Sequence, residues 1–104
     1  MKYQLVLQWL YNDISDYDEL IAYEDLLNER LSSHLGEVDG HDCETGEMNI
    51  FVFTDNPRQA FESCRTLICS QLMEAGLSAG YREINGEEYI RLWPPASIEP
   101  FAVK

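Results

Sequence analysis

The stretch EVDGHDCETGEMNIFVFT, Glu37 to Thr54, decides the fold. Its second half, Met48-Asn49-Ile50-Phe51-Val52-Phe53-Thr54, is β-branched and aromatic and reads as a strand. The preceding run from Gly36 to Cys43 is a weaker strand, because Gly40 has no side chain to pack. Thr45-Gly46 supplies a tight turn between them, so the two strands form an antiparallel hairpin.

Working outward, Tyr3 to Tyr11 is a strand with Tyr3, Leu5, Leu7 and Trp9 on one face and Gln4, Val6 and Gln8 on the other. Asn12-Asp13 ends it. Ser15 followed by Asp18 is similar to a capping box, and the acids through Glu19 suit a helix start. The helix runs through Leu20, Ile21, Leu27 and Leu31 to Gly36, a residue type suited to a left-handed cap. Downstream of the hairpin, Asn56-Pro57 reads as cap and first helical position. Ala60, Phe61, Cys64, Leu67, Ile68, Leu72 and Ala75 keep helical spacing to Gly76. Tyr81 to Ile84, the Asn85-Gly86 turn and Glu88 to Trp93 form a second hairpin.

The order is β-α-β-β-α-β, which predicts an α+β, ferredoxin-like βαββαβ sandwich. Its antiparallel sheet carries two helices on one face, pairs the first strand with the third, and has room for an extra C-terminal edge strand. One domain spans residues 1–93. Residues 94–104, with Pro94, Pro95 and Pro100, form an extended tail. At 104 residues the chain is long enough for one core and too short for two.

Charge is the least ordinary feature. Nineteen acids against seven Lys and Arg give −12, and residues 1–55 carry −11 of it, with only Lys2 and Arg30 as bases. Such a surface repels phosphate backbones and anionic lipid, which argues against direct nucleic-acid or membrane binding, and it steers basic partners inward. No apolar run reaches membrane-spanning length and no signal peptide is evident, so a cytoplasmic protein is expected. Cys43, Cys64 and Cys69 show no C-x-x-C pair, consistent with reduced, structural thiols.

In a split βαβ plan the hairpin turns at the end where the first strand meets the first helix. Asp13, Asp16, Asp18 and Glu19 are therefore expected near Asp42, Glu44 and Glu47, as one acidic docking end for a basic protein surface. On a regular strand Glu37, Asp39, His41 and Cys43 would share one face, and Asp39, His41 and Asp42 form a candidate polar site. Their spacing matches no standard metal motif, so neither a bound metal nor another cofactor is expected. His41 beside Asp39 or Asp42 could serve as an oriented general base, yet no nucleophile elbow or phosphate loop accompanies it, and no residue is assigned a catalytic role. Phe51 and Phe53 with Val6 would line the sheet face away from the helices. RNA-binding sheets display aromatics this way, but the basic residues are missing, so a homodimer is expected there.

The segments GEVDGHD (36–42), GEMNIF (46–51) and TDNP (54–57) resemble a family of small uncharacterised bacterial proteins. The resemblance implies a bacterial cytoplasmic setting and brings no activity. Together these readings favour a non-enzymatic acidic interaction module, such as an inhibitor or immunity-type protein. The alternatives are a small-molecule or metal-binding protein, enzymatic or not, with its site at Asp39, His41 and Asp42, or a dimeric regulatory domain.

Overall fold

Alternation along the strands settles which face is buried under helices. The computed structural model describes residues 1–10, 17–44, 46–68, 71–96 and 100–103, with the backbone alone at Glu44 and Leu72. Its elements are β1 (Tyr3–Leu10), α1 (Tyr17–Arg30), β2 (Glu37–Glu44), β3 (Glu47–Thr54), α2 (Pro57–Thr66), α3 (Gln71–Gly76), β4 (Ser78–Glu83) and β5 (Ile90–Trp93). The five strands form one antiparallel sheet in the order β2-β3-β1-β4-β5. β1 and β3 are neighbours, as the element order predicts, and β5 extends the edge beyond β4. The fold is α+β.

Leu5, Leu7 and Trp9 of β1 and Met48, Ile50 and Val52 of β3 point to one face. There they pack with Leu20 and Leu27 of α1, Phe61 and Cys64 of α2, and Met73 of α3. All three helices therefore share that face. The Trp9 indole stands edge-on to the Tyr23 ring, with centroids 5.8 Å apart, and its Nε1–H donates to the Met73 carbonyl at 2.8 Å. An indole N–H buried this deeply needs such a partner.

Two expectations need correction. The first helix ends at Arg30 and not at Gly36. Gly36 has no left-handed backbone, and its role is steric. A Cβ there would come 2.9 Å from Val52 Cγ1 and 3.0 Å from the Phe53 carbonyl oxygen, so glycine lets the chain enter β2 against β3. The helix expected over residues 57–76 is two helices, α2 and α3, parted at Leu67 and Ile68. Periodicity continues across the gap because both segments bury one face on the same sheet, so spacing alone hides the break. Beyond β5 the chain returns to the sheet. Phe101 is buried on the sheet. The predicted cap holds: the Asn56 side chain accepts from the Gln59 backbone N–H at 3.2 Å, with Pro57 in the first turn.

Candidate functional site

The register of β2 creates the site. Val38 pairs with Val52, but Gly40, not Asp39, pairs with Phe51, so Asp39 is an extra residue in a bulge. Gly40 takes φ +152°, a conformation that other residues rarely adopt. In an unbroken strand with Val38 on the helix face, His41 would fall opposite Asn49 on the other face. The bulge shifts it by one, so that His41 pairs with Ile50 and Cys43 with Met48, both on the helix side. Glu37, paired with Phe53, stays on the opposite face, and Asp39 is exposed in the bulge. The four-residue face expected for Glu37, Asp39, His41 and Cys43 is thus split by a single inserted residue.

On the helix side His41 meets α1. Leu20, Tyr23, Glu24 and Leu27 are the buried positions of that helix, so a carboxylate occupies a place in the apolar stripe. Glu24 sits there because His41 comes to it. Nδ1 of His41 lies 3.0 Å from Glu24 Oε1 and 3.1 Å from Oε2. Nε2 lies 2.7 Å from the Tyr17 hydroxyl, and the Tyr17 and His41 rings are tilted at 66° with centroids 5.6 Å apart. An ionised carboxylate only accepts, so Nδ1 carries the proton, and in the neutral ring Nε2 accepts from the Tyr17 hydroxyl. Exposure rises along the chain, from 12% for the Glu24 side chain through 28% for His41 to 47% for Tyr17. A carboxylate, an imidazole and a phenol thus connect the protein interior to solvent.

Cys43 lies two residues beyond His41 on the same face and packs against the core edge. Its thiol is pushed up from the ordinary range, first by burial and then by the charges of Asp42 and Glu24. It is therefore a protonated thiol and a poor nucleophile at neutral pH.

The expected acidic end is divided by the sheet. The pairing of Leu10 with Glu47 does bring the hairpin turn to the end of β1. However, Asp18, exposed, and Glu19, half-buried, belong to α1 on the helix side, whereas Asp42, Glu44 and Glu47 hold register positions on the other face. Asp13 and Asp16 lie outside the described residues. Glu47 is 3% exposed, and its Oε1 accepts from Asn49 Nδ2 at 3.2 Å. Asn49 Oδ1 in turn accepts from Gln8 Nε2 at 3.1 Å, and the same nitrogen donates to the Ala102 carbonyl at 2.9 Å. Asp42, cross-strand from Asn49, has its Oδ1 buried with no hydrogen-bond partner among the described residues. Glu47 is accordingly an internal polar anchor and not an exposed acid.

The face expected for dimerisation is also altered. Phe51 and Phe53 are half-buried there, but Val6 is fully buried. Gly80 pairs with Val6, and Phe101 lies on Gly80 so closely that a Cβ there would come 2.5 Å from its ring. Tyr89 packs on Phe101 with centroids 5.5 Å apart, and the Arg91 guanidinium stands 5.6 Å from the Phe101 centroid. With Val6 covered, the apolar strip is smaller than three exposed side chains would give.

Among the described residues no three of His, Cys, Asp and Glu are grouped to hold a metal ion, and no helix is long and apolar enough to cross a membrane. Sequence reading placed His41 in a polar site but missed Glu24, Tyr17 and Phe101. Glu24 carried a signal, because it stands four residues after Leu20 and three before Leu27, inside the stripe. Comparison with protein-family models, curated proteins and solved structures finds no match to this chain.

Proposed function

We propose that the chain is a small interaction module of ferredoxin-like plan whose acidic α1 side engages a basic protein surface. The observation that carries this reading is the placement of the charge. Residues 1–55 carry −11 of the total −12. Asp18, Asp25 and Glu29 are exposed along α1, and Asp39 is exposed in the bulge of β2, the edge strand that α1 contacts through Glu24 and His41. Self-repulsion among these groups opposes folding, and solubility needs a magnitude of only about 2–8 for a small domain. The Glu24–His41–Tyr17 chain fastens α1 to β2, so the acids would be presented on a fixed surface and not on a loose helix. Asp13 and Asp16 extend the same block of charge in the sequence. The resemblance to small bacterial proteins suits a partner in a bacterial cytoplasm.

A site at Asp39, His41 and Asp42, the competing reading, has one observation in its favour, since His41 is held by a carboxylate. That carboxylate is Glu24, while Asp39 and Asp42 lie in the bulge and on the other face. Interaction through charge predicts a clear experiment. A partner captured from a bacterial lysate at low salt should be released at physiological salt. It should bind the Asp25→Asn, Glu29→Gln variant at least about tenfold more weakly, mostly through a slower on-rate. A partner indifferent both to salt and to these substitutions would remove the docking proposal.

A further inference from the structure

We infer that Tyr17 is a nucleophilic hydroxyl, served by His41 and Glu24, that accepts acyl groups from neutral or cationic donors. A phenol within 2.7 Å of an imidazole nitrogen, with the other nitrogen held by a carboxylate, has the nucleophile–base–orienter geometry of acyl-transfer sites. The two oxygens of Glu24 fix both the ring plane and the tautomer, leaving the lone pair of Nε2 aimed at the Tyr17 hydroxyl. Glu24 is largely buried and Tyr17 is half exposed, so the orienting end is dry and the reacting end is open to a donor. Cys43, the competing nucleophile on this face, is held as a thiol.

The surrounding charge selects the donor. Tyr17 precedes Asp18 and Glu19 and faces β2, within a half-chain of net charge −11. Phosphoryl donors and anionic esters are repelled by such a field, whereas uncharged or positively charged carbonyl compounds are not. In the step itself the Tyr17 Oη–carbonyl carbon bond forms as the phenol proton passes to His41 Nε2. The bond from that carbon to the leaving group then breaks, and the proton on Nε2 goes to the leaving group. Glu24 stabilises the transient imidazolium and stays ionised. No oxidant or reductant is required. The chain gains one acyl group on Tyr17 and releases the protonated leaving group.

The test is brief exposure of the intact chain to 4-nitrophenyl acetate, followed by mass spectrometry of the tyrosine peptides. The sequence has six tyrosines, so the others serve as internal controls. Acetylation should concentrate on Tyr17, and its preference over Tyr89 should vanish in urea. His41→Gln should slow acetylation of Tyr17 on the order of 100-fold while leaving Tyr89 unchanged, the contribution expected of a positioned general base. Glu24→Gln should slow it at least about tenfold. The anionic ester 4-nitrophenyl hemisuccinate should react more slowly than the acetate, and the gap should close with added salt. If either variant fails to fold, the native-against-urea preference of the wild-type chain still decides. Equal acetylation of Tyr17 and Tyr89 in the folded protein, or acetylation of Cys43 in place of Tyr17, would overturn the inference. A Tyr17 rate indifferent to His41→Gln would do the same.

Discussion

The two faces of the sheet are built by different means. The helix face is a continuous apolar core in which Leu5, Leu7, Trp9, Met48, Ile50 and Val52 meet three helices. Its polar insertions are few and partnered, with Tyr23 donating to the Cys64 carbonyl and Glu24 paired with His41. The other face carries none of the helices of the described residues. It is covered in part by Phe101, and it holds half-buried Gln8 and buried Asn49 and Glu47 as a hydrogen-bonded row. Regular periodicity creates the first face, whereas a single aromatic from the end of the chain completes the second. Stability should therefore depend on many residues on one face and on a few on the other.

The largest expected effect comes from alkali and belongs to the helix face. Burial pushes the Cys64 thiol up to about 12 from an ordinary value of 9.0, and it raises the Tyr23 phenol as well, with the neighbouring Cys64 adding to that shift. Both groups keep their protons when folded and lose them sooner when unfolded. Their contribution is complete below about pH 9 and is lost as pH climbs toward the folded values. Each such group lowers the unfolding free energy by about 1.4 kcal/mol per pH unit once its unfolded form ionises. Urea titrations should show midpoints level between neutral pH and pH 9, then falling steeply. Cys64→Ala should flatten the first part of the fall. A midpoint unchanged up to pH 11 would mean that these groups are not buried as described.

Much of the helix face was legible because strand alternation and helical spacing are local properties. Leu5, Leu7 and Trp9 against Gln4, Val6 and Gln8 can be assigned from eight residues without knowledge of the rest. The break between α2 and α3 was not legible, since Leu67, Ile68 and Leu72 keep the helical interval across it. Neither was the bulge, although Gly40 in a strand is a known sign of one. Its consequence, the transfer of His41 to the Glu24 side, depends on a pairing across two strands and a helix. Phe101 was read as part of a proline-containing tail because nothing near it in sequence shows that Gly80 leaves space for a ring. Long-range complementarity between a missing side chain and a distant aromatic has no local signature.

That complementarity gives the next prediction, smaller than the first. Trp9→Ala, in the helix core, should cost about 3–5 kcal/mol. Phe101→Ala, on the other face, should cost about 2–3 kcal/mol, because a detached tail leaves an exposed groove and not a sealed cavity. Gly80→Ala places a methyl where the Phe101 ring lies and should cost nearly as much by displacing the tail. If both act through the same contact, the double variant should be hardly less stable than either single one. Thermal or urea unfolding of the four proteins completes the cycle. Additive losses would show that Phe101 and Gly80 act separately and that the second face is stabilised in some other way.

The smallest effect tests what separates the faces at β2. Gly40 is at φ +152°, and a Cβ added there would meet nothing within 4 Å. Gly40→Ala therefore incurs backbone strain without a clash, a cost of about 1–2 kcal/mol. The urea midpoint should fall while the slope stays constant, since the folded shape is unchanged. His41 should retain its contact with Tyr17, visible as a cross-peak between their rings in NMR spectra. Deleting Asp39 makes the opposite kind of change. It removes the inserted residue, so Val38 and Gly40 become consecutive, pair with Val52 and Phe51 in a regular ladder, and leave His41 opposite Ile50 on the Glu24 side. That variant should keep the His41–Tyr17 cross-peak and the Glu24 pairing, because the register from Gly40 onward is unchanged. A deletion variant that loses the cross-peak would show that the bulge itself, and not the pairing of His41 with Ile50, sets the position of the ring.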